Sequence, residues 1–287
     1  DGSLSRLRAS GFVLLVGLAL NVILVRAERP QVPGLTGLRH FWPTLAAAAL
    51  TIGALSVMDA WVTPAAGLLL WLALLPARTP TLGAAIRTLP AAGAVALVGA
   101  ILFLPFYPTF HSQFAGFIIN VAHPTSPLEL LLWQGPFLVA LACLAQPTWP
   151  DPRHIRPTVL MPDLAWMLLP VALSLGLRAL PDLLPRLDSA PALMALDHPV
   201  QALPVAAMIL AGLLILTCVP ALGVTPDDEP VRPRAIFAWR LARLGLLLLL
   251  VPELIYVRDL FGIRMNTIFK LHYQAWLLLS LTCASLT

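Results

Sequence analysis

The chain has 287 residues, of which 59% are hydrophobic and only 11% are charged, whereas soluble domains carry roughly 25% charged residues. The net charge is +4, and the basic residues lie between apolar blocks and form no single patch, so the charge reflects membrane topology and does not indicate nucleic-acid binding. The long apolar blocks exclude a soluble globular protein and predict an all-α integral membrane protein.

Nine apolar segments approach the roughly 20 residues that a helix needs to cross a bilayer. They are residues 9–25, 41–58, 62–77, 88–106, 128–146, 162–180, 200–222, 235–257 and 273–287. The last is barely long enough, so eight spans followed by a docked tail is the alternative prediction. No soluble domain interrupts these segments, and residues 1–287 are expected to form a single polytopic transmembrane domain. Because the chain begins at Asp1 without Met or a signal-peptide pattern, we expect that upstream residues are missing.

The distribution of Arg and Lys over alternate loops predicts the orientation of the chain in a plasma membrane. One set of loops carries 11 of these residues and the other carries 7, which together account for all 18. Because cytoplasmic loops are enriched in Arg and Lys, the poorer set is predicted to be extracytoplasmic. That set includes the loops at residues 107–127, 181–199 and 258–272.

The loop at residues 107–127 has no Lys or Arg but is rich in aromatic residues. Four of them, Tyr107, Phe110, Phe114 and Phe117, would lie on roughly one face of a helix. This pattern predicts an interfacial helix that lies along the membrane surface.

A polar stretch at residues 252–276 stands out from the otherwise plain apolar sequence. Polar groups this close to hydrocarbon are costly unless they are paired or hydrated. One interpretation is a cluster of structural ion pairs that joins two spans, with Glu253 and Asp259 as its acids. The other is a binding site for a lipid headgroup or phosphate, because Arg binds such anions bidentately. The candidate residues of that second site are Arg258, Arg264, Lys270, Asn266, Tyr256 and Tyr273.

Outside this stretch, Asp59 is the main candidate for a functional side chain. It lies in the tight turn between the second and third spans, where it could also cap the following helix. All six His residues lie in loops or at segment ends, and no phosphate-binding loop, G-x-S-x-G motif or CxxC motif is present. We therefore predict no metal site and no cofactor.

The sequence E-L-I-Y-V-R-D-L-F-G-I-R-M-N-T-I-F-K-L-H-Y-Q-A-W, from Glu253 to Trp276, resembles the C-terminal signature of the "YYY" membrane proteins of Chloroflexi and archaea. That polytopic family is generally grouped with the GT-C type glycosyltransferases, so the resemblance implies a GT-C-like helical bundle. Weaker similarity extends upstream, and the chain corresponds to the C-terminal part of a longer family member. The matching positions are Glu253, Tyr256, Arg258, Asp259, Phe261, Arg264, Met265, Asn266, Thr267, Phe269, Lys270, Tyr273, Gln274 and Trp276.

The chain departs from the family pattern at two acidic positions. Where the family has a Gly-Asp-x-His motif, this chain reads D-G-S-L-S-R-L-R-A-S-G-F, with Asp1 as its only acid. Where the family tends to have Asn-x-Trp-Asp, this chain has Asp59-Ala60-Trp61-Val62. Glycosyl transfer needs a carboxylate to bind metal or to deprotonate the acceptor, so these departures imply either lost catalysis or an incomplete chain whose acids lie upstream.

The resulting hypothesis is a structural or accessory subunit of a larger membrane complex, respiratory or photosynthetic, with a GT-C-like fold and no catalytic activity. Its expected partners are membrane lipids and other integral membrane subunits. The alternative is a membrane glycosyltransferase that uses a lipid-phosphate-linked sugar, with Asp59 or Glu253 as the catalytic acid.

Overall fold

A computed structural model describes residues 2–28, 41–75, 82–110, 116–120, 125–145, 233–258 and 263–286. These residues form seven α-helices, one 3₁₀ helix and two short strands. In chain order they are α1 (Gly2–Glu28), α2 (Trp42–Met58), α3 (Val62–Leu74), α4 (Leu82–Leu102), the 3₁₀ helix (Leu104–Thr109), β1 (Phe117–Ile119), α5 (Pro127–Ala145), α6 (Pro233–Leu254), β2 (Ile255–Val257) and α7 (Met265–Leu286).

Three of the described helices are long and apolar enough to cross a membrane, at Arg6–Val25, Pro127–Leu144 and Pro233–Leu254. This finding confirms a helical membrane protein, and the count of nine spans remains a prediction. The predicted spans at 162–180 and 200–222 lie outside the described residues. The last predicted span, 273–287, belongs to a helix that already begins at Met265.

The chain divides into two compact units, one comprising Asp1–His111 with Val224–Leu241 and the other Ser112–Gly223 with Ala242–Thr287. In the first unit, α2 packs against α4 at a close approach between two glycines. A Cβ atom added to Gly53 would lie 2.5 Å from the carbonyl oxygen of Gly99, and one added to Gly99 would lie 2.5 Å from that of Ala49. Small residues therefore allow the two backbones to touch, as is common between membrane helices.

The C-terminal end of α3 is capped by an arginine side chain from α6. Arg240 Nη1 donates hydrogen bonds to the carbonyl oxygens of Leu72, at 2.8 Å, and Leu75, at 3.2 Å. The last carbonyls of a helix lack hydrogen-bond partners within the helix and carry partial negative charge. The buried guanidinium therefore provides both a hydrogen-bond donor and a compensating positive charge.

In the second unit, β1 and β2 form an antiparallel pair with Ile118 opposite Tyr256. The pairing continues beyond the strands, because Arg258 N donates to Gly116 O at 2.8 Å. Gly116 has a φ of +110°, a backbone conformation that favours glycine. The prediction of an interfacial helix through residues 107–127 is therefore wrong. The described parts of that loop contain the end of the 3₁₀ helix (Leu104–Thr109) and the strand β1 (Phe117–Ile119).

Helices α6 and α7 pack closely in the second unit. A Cβ atom added to Gly245 would lie 2.9 Å from Leu279 Cδ2, so only glycine fits there without displacing its neighbour. Helix α5 contacts α7 through the rings of Phe137 and Trp276, whose centroids are 5.4 Å apart in an edge-to-face arrangement.

Candidate functional site

The polar centre of the second unit is a buried ion pair between α6 and the N-terminal end of α7. Arg264 Nη1 lies 2.8 Å from Glu253 Oε1, and the two side chains are only 8% and 1% exposed. A buried pair is tolerated only when further hydrogen bonds satisfy its remaining polar atoms. The pair therefore needs additional partners.

Thr125 supplies those partners from the segment that precedes α5. Its hydroxyl donates to Glu253 Oε1 at 2.6 Å, and its backbone N–H donates to Glu253 Oε2 at 3.1 Å. The same hydroxyl accepts a hydrogen bond from Arg264 Nη2 at 2.9 Å. Both carboxylate oxygens of Glu253 are thus engaged, and the three residues form a closed cluster.

Asn120 caps the C-terminal end of α6 directly beside this cluster. Its side-chain Nδ2 lies 3.3 Å from the carbonyl oxygens of both Pro252 and Glu253, and its backbone N–H donates to Leu254 O at 2.9 Å. Asn120 is almost fully buried. It satisfies carbonyl groups at the end of α6 and thereby fixes the segment that carries Glu253.

A cavity of about 650 Å³ lies in the second unit, beside Arg264. One face of α7 provides most of its wall, because residues spaced three and four apart lie on the same side of a helix. Several wall side chains are large and well exposed, among them Trp133 at 76% and Phe269 at 68%. The lining residues are Trp133, Gln134, Ile263, Arg264, Met265, Ile268, Phe269, His272, Tyr273 and Trp276. We call this feature the α5–α7 groove.

Two polar side chains of the α5–α7 groove have buried atoms without a hydrogen-bond partner among the described residues. Gln134 is only 3% exposed, and its Oε1 has no partner there. The Nε2 atom of His272 is in the same situation. Burial lowers the pKa of His272 to about 4. Nearby Glu253 raises this pKa by a smaller amount and Arg264 lowers it further, so the imidazole is neutral at pH 7.

The structure does not bring all six predicted lipid-binding or phosphate-binding residues to one place. Arg264 and Tyr273 line the α5–α7 groove. Asn266 and Lys270 lie about 100° and 140° around α7 from Met265, away from the centre of its groove face. They are partly buried and are not among the lining residues.

The remaining two residues of that predicted set, Tyr256 and Arg258, lie in and just after β2. The adjacent Val257 N–H donates to Thr267 Oγ1 at 3.1 Å. Thr267 lies about 200° around α7 from Met265, so β2 contacts the side of α7 opposite the groove face. Asp259, predicted as a second acid of the ion-pair cluster, lies outside the described residues.

The other candidate acid, Asp59, forms an ion pair of its own in the first unit. Arg8 Nη1 lies 2.8 Å from Asp59 Oδ2, with side-chain exposures of 26% and 7%. Asp59 Oδ1 also accepts the backbone N–H of Trp61 at 3.2 Å, a local bond that stabilises the turn into α3. No group of three or more His, Cys, Asp or Glu side chains that could hold a metal ion occurs within the described ranges.

Sequence reasoning missed Thr125, Asn120, Gln134 and the pairing of Arg8 with Asp59. Thr125 and Asn120 are separated from Glu253 by 128 and 133 residues, so no local pattern could connect them. Gln134 offered the one available signal in the sequence, because a polar amide in the middle of an apolar span is costly unless it is hydrogen-bonded.

Comparison with known families gave a match over most of the chain. A family model described as "Uncharacterized membrane protein (DUF2298)" matches residues 9–279 of the chain. Neither the curated proteins nor the solved structures gave a significant match.

Proposed function

Because this chain belongs to the DUF2298 family of membrane proteins, we propose that it is an integral accessory subunit of a larger membrane complex and has no catalytic role. Respiratory and photosynthetic complexes are the proposed hosts, and other integral membrane subunits and lipids are the proposed partners. The proposal includes a GT-C-like bundle of about nine spans in a single domain. It places the protein in the plasma membrane with residues 258–272 outside the cytoplasm.

The observation that carries this proposal is that both carboxylate oxygens of Glu253 already accept hydrogen bonds from neighbouring residues. A general base must have a carboxylate oxygen within hydrogen-bond reach of the proton that it removes. Both oxygens of Glu253 are held by Thr125 and Arg264, and the side chain is 1% exposed. This geometry favours a role in holding α6 against α7, as in a structural subunit.

The anion-binding part of the proposal rests on Arg258, with Lys270, Asn266 and Tyr256 as supporting residues. The Arg258 side chain is exposed, so its guanidinium is accessible to a lipid headgroup or phosphate. Arg264, in contrast, already uses Nη1 and Nη2 within the buried cluster.

The alternative function is sugar transfer from a lipid-phosphate donor, and one observation favours Asp59 over Glu253 as its acid. The Arg8 partner of Asp59 has a 26% exposed side chain, so this ion pair is partly accessible from outside the protein. The ion pair of Glu253 and Arg264 is buried. Under this alternative, Asp59 would have to exchange Arg8 for a metal or an acceptor during the reaction.

Two measurements on the full chain test the proposal. Native gel electrophoresis after extraction in mild detergent is expected to show a stable complex of fixed stoichiometry, and migration of the chain alone would contradict the accessory role. Transfer of labelled sugar from a lipid-phosphate donor is then assayed for the wild type, Asp59→Asn and Glu129→Gln. Glu129 is an exposed acid in the first turn of α5 and serves as the matched control. We expect no transfer in any sample; transfer that is lost only in Asp59→Asn would establish the alternative.

A further inference from the structure

We propose that the α5–α7 groove binds an uncharged lipid that carries a free hydroxyl group, and that Gln134 recognises this hydroxyl. The groove is separate from the proposed anion site, because none of Arg258, Lys270, Asn266 and Tyr256 is among its described lining residues.

The apolar part of the ligand is indicated by the wall of the groove. Trp133, Phe269 and Trp276 are large apolar side chains that remain exposed beside a concave space. A volume of about 650 Å³ falls within the roughly 300–1,000 Å³ that is typical of sites for small ligands. Hydrocarbon from a lipid would cover these side chains along the groove.

The absence of net charge in the ligand follows from the groove's electrostatics. Among the described residues of the lining, Arg264 is the one Asp, Glu, Lys or Arg side chain, and its charge is balanced by Glu253 at 2.8 Å. A phosphate drawn to Arg264 would have to compete with this buried carboxylate and lie near it. Two anions that share one guanidinium in an apolar site are strongly disfavoured.

The hydroxyl group is indicated by the buried acceptor on Gln134. Its Oε1 has no hydrogen-bond partner among the described residues, and hydrocarbon cannot provide one. A ligand hydroxyl can donate to this oxygen and still accept a hydrogen bond. His272 Nε2, which also lacks a described partner, is a further polar contact available to the ligand.

Dioleoylglycerol and dioleoylphosphatidic acid provide a matched pair of probes, because they share both acyl chains and differ in a hydroxyl against a phosphate. Each is titrated into the purified full-length chain in detergent, and bound lipid is counted by native mass spectrometry. Both lipids are measured in an Arg258→Gln background, so that phosphatidic acid bound at the proposed anion site is not counted. We expect this protein to bind dioleoylglycerol at least about fivefold more tightly. Equal or tighter binding of dioleoylphosphatidic acid to it would overturn the proposal.

Gln134→Leu removes the acceptor at nearly constant volume and is expected to weaken dioleoylglycerol binding about fivefold, the typical effect of one hydrogen bond. Gln274→Leu is the matched control, because Gln274 is equally buried on α7 but does not line the groove. It should bind dioleoylglycerol like the wild type. Unchanged binding in Gln134→Leu, or an equal loss in Gln274→Leu, would overturn the assignment to Gln134.

Discussion

Arg264 and Glu253 form an ion pair in which Nη1 and Oε1 are 2.8 Å apart and both side chains are almost completely buried. Thr125 bonds to both partners, so the cluster ties the segment before α5 to two positions more than 100 residues later in the chain, which are themselves 11 residues apart. This arrangement commits both side chains to contacts within the protein, which supports the proposed structural role of these two residues.

Glu253→Gln is expected to destabilise the protein by about 3–5 kcal/mol, because it leaves the buried Arg264 charge uncompensated. The measurement is the free energy of unfolding in detergent with increasing denaturant. Glu129→Gln, at an exposed acid on α5, should change it by less than about 1 kcal/mol, because glutamine can still accept the hydrogen bond from Ser126 N–H and only the charge at the start of the helix is lost. A Glu253→Gln protein as stable as this control would show that the pair contributes little.

The glycine contact between α2 and α4 makes a second prediction. Gly99→Ala should destabilise by about 1–3 kcal/mol, because its Cβ would lie 2.5 Å from the backbone oxygen of Ala49. Gly93→Ala in the same helix meets nothing within 4 Å and should stabilise by about 0.5–1 kcal/mol through helix propensity. Thermal unfolding of the two variants is compared, and equal midpoints would contradict the close approach.

His272 predicts a loss of stability in mild acid. Its pKa is about 4 in the folded protein and about 6.5 when unfolded, so the folded state resists protonation. The neutral imidazole's contribution is fully present above pH 6.5, declines as the pH falls, and is lost at about pH 4. The expected loss is about 1–3 kcal/mol.

The check is the unfolding free energy at pH 7.5 and pH 5 for the wild type and for His272→Gln. The variant should lose most of this pH dependence because it has no group that titrates at this position. An unchanged pH dependence would assign the effect to other groups.

Helix positions were predictable because apolar blocks are a local property of the sequence. The predicted segments 41–58 and 62–77 agree within three residues with Trp42–Met58 and Val62–Leu74. A helix needs only consecutive residues that favour hydrocarbon, so no knowledge of its neighbours is required.

Partnerships across the sequence were not predictable in this way. The aromatic spacing at residues 107–127 suggested a helix, but Phe117–Ile119 pairs with Ile255–Val257, and no local pattern encodes a strand partner so distant. Likewise, no local pattern connects Arg8 with Asp59, because 51 residues separate them in the sequence. The structure shows Arg8 as the partner of Asp59.

The central claim is that Glu253 and Arg264 form a structural ion pair, and the unfolding free energy of the double variant Glu253→Gln, Arg264→Met tests it most directly. The account predicts that the double variant is markedly more stable than Glu253→Gln alone, by about 2 kcal/mol or more, because removal of the cation relieves the buried, uncompensated charge. Destabilisation equal to the sum of the two single changes would contradict the claim, because the two residues would then act independently.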